Sequence, residues 1–140
     1  RDLKPSNVIL TPTRVKILDF GIARTLSGDT RLTMTGLAVG TPMYMSPEQI
    51  QGADLDGRCD LYALGVVAFT LLAGREPFLG NNPTAIALEH LQSPPPDLRR
   101  LRPGTPEPWV AFVERLLAKA PDARYADAAA VGDALDALPV

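Results

Sequence analysis

Only one cysteine, Cys59, occurs in the 140 residues. No internal disulfide can form, and a reducing cytosol is the natural setting. An excess of charge is missing too: 14 Lys and Arg stand against 16 Asp and Glu, for a net of −2. That balance argues against a general electrostatic hold on nucleic acid or an anionic bilayer, so neither is expected as a partner. The chain also lacks a long hydrophobic run. Its longest, LYALGVVAFTLLA at residues 61–73, falls short of the ~20 residues that cross a membrane. A helix apolar on every side at that length is expected to lie buried at the centre of the domain. The opening residues are polar and carry no signal-peptide pattern. No internal repeat is visible.

Proline, by contrast, is plentiful, at 14 residues, about twice average usage. Many sit in SPPPDLRRLRPGTPEP, residues 93–108, which predicts a non-helical connector. Hydrophobic residues make up an ordinary 46%, and the length suits one modest domain.

Two short β-branched runs, VIL at 8–10 and VKIL at 15–18, flank a proline-containing turn, TPTR. They predict a small hairpin, with Asp19, Phe20 and Gly21 directly after it. Residues 27–45 show no sustained periodicity and read as a long loop, of the kind that is usually functional. Helices follow. One begins near residues 46–51, with Pro47 early and Glu48 in its first turn. The apolar helix spans residues 58–73 and stops at Gly74. Residues 83–93 form an amphipathic helix. Residues 107–119 set Trp109, Phe112, Val113, Leu116 and Leu117 on one face, and residues 127–138 align Val131, Leu135 and Leu138. The fold class is therefore α+β and mostly α-helical, with one small hairpin near the N-terminus.

The chemistry concentrates at the start, RDLKPSN. A hairpin brings the residues before and after it together, so Asp2, Asn7 and Asp19 would converge at one end. One carboxylate with one amide oxygen suits Mg²⁺, which takes few protein ligands and completes its shell with water and phosphate. The other carboxylate would orient a hydroxyl or accept its proton. Lys4 would neutralise charge on a phosphoryl group in transfer.

RDLKPSN, then DFG at 19–21, then GTPMYMSPE at 40–48 resembles the signature set of the protein kinases in both order and spacing. DLYALG at 60–65, GREPF at 74–78 and KAPDARY at 119–125 are similar to later landmarks of the eukaryotic-like Ser/Thr kinases of bacteria. The resemblance covers essentially the whole chain, and it implies the helical C-lobe of a kinase domain, entered inside its catalytic loop. The Gly-rich loop, the ATP-gripping lysine and the rest of the small N-lobe would then lie outside residues 1–140, and these residues alone would be inactive.

The resemblance implies a role for each matching residue. Asp2 would be the catalytic base and Lys4 the contact to the γ-phosphate of ATP, with Asn7 and Asp19 holding Mg²⁺. Thr41 would bond to Asp2 and Lys4 and shape the loop on which the substrate protein docks. Thr33 and Thr35 would be activation-loop phosphosites. Glu48 would pair with Arg124 in a buried ion pair, and Asp60 would anchor the catalytic loop from the central helix. Ser46 departs from the family, where alanine is commoner. The implied activity is transfer of the ATP γ-phosphate to Ser/Thr hydroxyls of protein substrates, in the cytoplasm, with any membrane anchor outside these residues.

Plainer readings stand beside these. Asp2 and Asn7 also favour turns, Asp60 also suits a helix N-cap, and Thr33 and Thr35 also suit any loop. His90 and Cys59 read as structural or surface residues, and Trp109 as core. A small-molecule phosphotransferase would share the Asp…Asn…Asp logic but would not need the loop ending in GTPMYMSPE. An inactive lobe kept as an interaction module is the non-enzymatic alternative.

Overall fold

The computed structural model describes residues 3–18 and 42–140. A short 3-10 turn, Pro5–Asn7, leads into β1 (Val8–Leu10), which pairs antiparallel with β2 (Val15–Ile17). The register sets Val8 opposite Ile17 and Leu10 opposite Val15. Thr11 closes the hairpin: its hydroxyl donates to the Arg14 carbonyl at 2.8 Å and accepts from the Arg14 N–H at 3.0 Å. Leu10 and Val15, 78% and 63% exposed, face outward.

The rest is helical. A 3-10 turn at Pro42–Tyr44 precedes α1 (Pro47–Gln51), α2 (Arg58–Ala73), α3 (Pro83–Gln92), α4 (Leu98–Leu101), α5 (Glu107–Leu116) and α6 (Ala128–Asp136). Local chemistry sets most boundaries. Ser46 and Gln49 form a reciprocal capping box on α1, which satisfies two otherwise orphaned N–H groups. Asn82, Asp97 and Asp127 cap α3, α4 and α6 with side-chain oxygens. α2 ends at Gly74, whose φ of 73° suits a residue without a Cβ.

The core is built on α2 and α5. Tyr62, Val66 and Phe69 of α2 pack with Val110, Val113 and Leu116 of α5, with Leu117, Phe78 and Leu98 closing the cluster. The two helices meet at Gly65, where an added Cβ would stand 2.7 Å from the Leu116 Cβ. Only glycine allows this approach, and the neighbour it would strike is held in the core.

Four expectations need correction. The proline-rich connector holds a short helix, α4, because Asp97 accepts from the Arg99 N–H at 3.0 Å and Leu98 is buried. Trp109 is half-buried, not core; its indole N–H donates to the Pro139 carbonyl at 2.9 Å. Leu135 is 46% exposed; α6 instead turns Val131 and Ala134 inward, and Leu138, just past its end, packs on the same core. α2 is not buried all round, since Leu71 near its end is 76% exposed. Among the described residues no helix is long and apolar enough to cross a membrane.

Candidate active site

The residues proposed for chemistry divide between two places. At the first, Pro5 starts the 3-10 turn with its fixed φ, and the Asn7 N–H donates to the Lys4 carbonyl at 2.9 Å. Across the hairpin mouth the Leu18 N–H donates to the Asn7 carbonyl at 2.7 Å. The strand pairing therefore delivers the residue before Asp19 directly to Asn7. Lys4 and Asn7 are half-buried. Asp2, Asp19, Thr33, Thr35 and Thr41 lie outside the described residues.

The second place is a buried knot around Arg124. Its guanidinium grips Glu48 with two parallel bonds, 2.6 Å to Oε1 and 2.8 Å to Oε2. The remaining donors reach backbone carbonyls of Arg58, Ala118 and Lys119, at 2.9, 2.8 and 2.9 Å. All five guanidinium N–H groups are thus used. The planar group also lies over the Tyr62 ring, 4.9 Å from its centroid. Burial pushes the Glu48 carboxyl up, but the hydrogen bonds and charge of Arg124, with help from its own backbone and Ser46, hold it below the usual range. A single side chain thereby fastens α1, the start of α2 and the stretch before α6.

Asp60 is half-buried in the first turn of α2. Gly57 occupies the N-cap position, so Asp60 is not the cap; its carboxylate lies at the helix end where negative charge is favoured. Pro42, the first residue of the turn that precedes α1, and Ser46, just after it, are fully buried, and the turn packs against α2 and α3.

A third cluster was not assigned a role from sequence. His90 of α3 is wholly buried, as one of the two readings given to it required. Its Nδ1 lies 2.9 Å from the Tyr62 hydroxyl, and its ring packs on Phe78, with centroids 4.6 Å apart. Lys119 donates to the His90 carbonyl at 2.7 Å and sits 4.0 Å above the Phe78 ring. A lone histidine on an apolar helix face was the only sequence signal available for it.

The chain matches the family described as protein kinase domain over residues 1–134, and it belongs to that family. Among curated proteins it is 40% identical over 130 residues to the serine/threonine-protein kinase PknB of Mycobacterium leprae, covering 92% of this chain and 21% of that protein. It is 44% identical over 140 residues to the serine/threonine-protein kinase Pkn1 of Myxococcus xanthus, covering 96% and 20%. With the serine/threonine-protein kinase PknA of Mycobacterium tuberculosis it shares 39% over 139 residues, covering 99% and 31%. The chain therefore spans from about a fifth to under a third of these relatives' length. Protein kinases as a family use ATP and Mg²⁺.

Proposed function

We propose that residues 1–140 form the large lobe of a Ser/Thr kinase domain, which moves the γ-phosphoryl group of ATP to Ser or Thr hydroxyls of a protein substrate. The observation that carries this reading is the hairpin mouth. The 2.7 Å bond from Leu18 to Asn7 joins the end of RDLKPSN to the strand that runs straight into Asp19-Phe20-Gly21. The names of the relatives support Ser/Thr specificity, as does Lys4 at its place in the motif.

In this reading Asp2 accepts or orients the proton of the attacking hydroxyl. Lys4 stabilises the charge that develops on the transferred group. The Asn7 carboxamide and the Asp19 carboxylate would hold Mg²⁺; both offer hard oxygen donors, which fit that ion. When bound, the ion neutralises phosphate charge and helps fix the phosphates for in-line transfer. Thr41 shapes the loop that receives the substrate, and Glu48 and Arg124 tie that loop's base to the C-terminal helices. Asp60 supports the catalytic loop from α2. Phosphorylation at Thr33 or Thr35 switches the site on. The reaction belongs in the cytoplasm, where ATP is supplied.

The test uses the intact protein from which these residues come. Wild type should transfer labelled phosphate from Mg·ATP to a generic basic protein, and Asp2→Asn and Asp19→Ala should abolish the transfer. Substantial activity in folded Asp19→Ala would remove the metal assignment. An inactive wild type would leave the interaction-module reading in its place.

A further inference from the structure

We propose that Lys119 is a positioning residue for the protein substrate, closing the C-terminal end of α3 so that this helix keeps its place beside the docking turn Pro42–Tyr44. The proposal rests on the kinase reading above, which makes that turn part of the substrate loop. The need for such a residue is written in the sequence. Within a helix each carbonyl is served by the N–H four residues on, so the last carbonyls need a donor from elsewhere. After α3 the chain reads Ser93, Pro94, Pro95, Pro96. Proline has no N–H, so the chain cannot serve the carbonyls of His90, Leu91 and Gln92 in this way. Ser93 is the last residue that can: its N–H donates to the Glu89 carbonyl at 3.0 Å, and its own backbone is already extended.

Lys119 supplies the missing donor from 29 residues away: its Nζ donates to the His90 carbonyl at 2.7 Å. A cation placed there also meets the negative end of the helix dipole. The side chain arrives over aromatic rings, with Nζ 4.0 Å from the Phe78 centroid and 6.0 Å from that of Tyr62. Burial lowers the amine's pKa to about 8, with the Glu89 charge opposing and the Arg124 charge adding, so the ammonium form prevails at pH 7. The backbone of the same residue faces the other way. Its carbonyl accepts from Arg124 at 2.9 Å, and Arg124 grips Glu48 of α1. One residue thus joins the end of α3 to the knot that secures α1. The docking turn leads into α1 and packs against α3. A frayed or shifted α3 would take away one wall of the turn while Arg124 still holds α1. In this reading ATP is handled at the hairpin mouth, so the loss should fall on the protein substrate.

Two variants of the intact protein separate this role from general packing. Lys119→Met keeps an apolar stem on Phe78 and removes both the donor and the charge. Lys119→Arg keeps both, since a single carbonyl accepts from a guanidinium as well. In Lys119→Met the KM for a peptide substrate should rise about 3- to 10-fold, part of the worth of a hydrogen bond to a charged group, with kcat and the KM for ATP little changed. Lys119→Arg should restore most of the peptide KM. Hydrogen exchange supplies a readout that needs no activity: the amides of Leu91, Gln92 and Ser93 should exchange faster in Lys119→Met than in wild type, with α6 unchanged. An unchanged peptide KM, equal rises in both KM values, a peptide KM as poor in Lys119→Arg as in Lys119→Met, or unaltered exchange at the end of α3 would each overturn the proposal. Wild-type protein that transfers no phosphate would sink the kinase reading and this role with it, whereas an active wild type whose peptide KM ignores Lys119→Met would sink this role alone.

Discussion

Replacing Arg124 with Met removes five hydrogen bonds and one buried charge while keeping much of the side-chain volume. Glu48, 7% exposed, would be left as a carboxylate without its partner. The carbonyls of Arg58, Ala118 and Lys119 would each lose a donor. Removing one partner of a buried pair typically costs about 3–5 kcal/mol, a large part of the roughly 5–15 kcal/mol that holds a domain folded. Arg124→Lys should recover little, because an ammonium cannot serve a carboxylate and three carbonyls from one plane. Glu48→Gln should be milder, since the amide oxygen still accepts from the guanidinium and the three carbonyl bonds persist. The double variant Glu48→Leu with Arg124→Met should recover only part of the loss, as the carbonyls stay unpaired. Urea denaturation followed by the fluorescence of Trp109 measures this, since it is the only tryptophan. With a slope of about 2 kcal/mol per molar, Arg124→Met should lower the midpoint by roughly 2 M. An Arg124→Met midpoint close to wild type would refute the cost assigned to the unpaired Glu48, and a double variant as stable as wild type would refute the share assigned to the three carbonyl bonds.

Three further outcomes are expected. Gly65→Ala should destabilise by about 1–3 kcal/mol, because the new methyl meets Leu116 at 2.7 Å; an unchanged thermal midpoint would contradict the packing. His90 is the only histidine, and its pKa is lowered to about 4 from 6.5. The unfolded chain therefore binds a proton first as pH falls, and the His90 contribution to stability should decline below about pH 6.5 and level off near pH 4. The total is roughly 3 kcal/mol at 1.36 kcal/mol per pKa unit. His90→Gln should remove that part of the pH dependence, and ring resonances that titrate near pH 6.5 in folded protein would refute it. Finally, Arg1 stands beside Asp2 and can grip a phosphate bidentately, so phosphopeptide mapping of active protein should find phosphate on Thr33 or Thr35; an unmodified loop in fully active protein would contradict the switch.

Much of the fold was legible because it rests on period and punctuation. α2 spans Arg58–Ala73, the bounds its sequence predicted, ending where its apolar run ends and starting three residues ahead of it, and the hairpin follows from two β-branched runs around a turn. α4 was hidden because the prolines around it outweigh a four-residue helix, although Asp97 before Leu98 is an N-cap signal. Leu135 misled because positions three and four apart on a helix both count as one face, and packing chose Ala134. The Arg124 knot carries no periodicity at all: its partner lies 76 residues away, so only the resemblance of SPE and PDARY to kinase motifs pointed to the pair. His90 had no motif behind it, and its burial against Tyr62 and Phe78 shows only in the structure.

The separation between Glu48 and Arg124 also has a meaning in time. During synthesis Glu48 leaves the ribosome 76 residues ahead of the arginine that will hold it, an interval of about 4–15 s at ~5–20 residues per second. Through that interval the α1 segment has its capping box but not its anchor, and α2 lacks the α5 surface that covers Gly65 and Val66. The α1 segment is therefore among the last of these elements to be fixed. A nascent chain that already carries RDLKPSN and DFG lacks this anchor until the stretch bearing Arg124 has emerged.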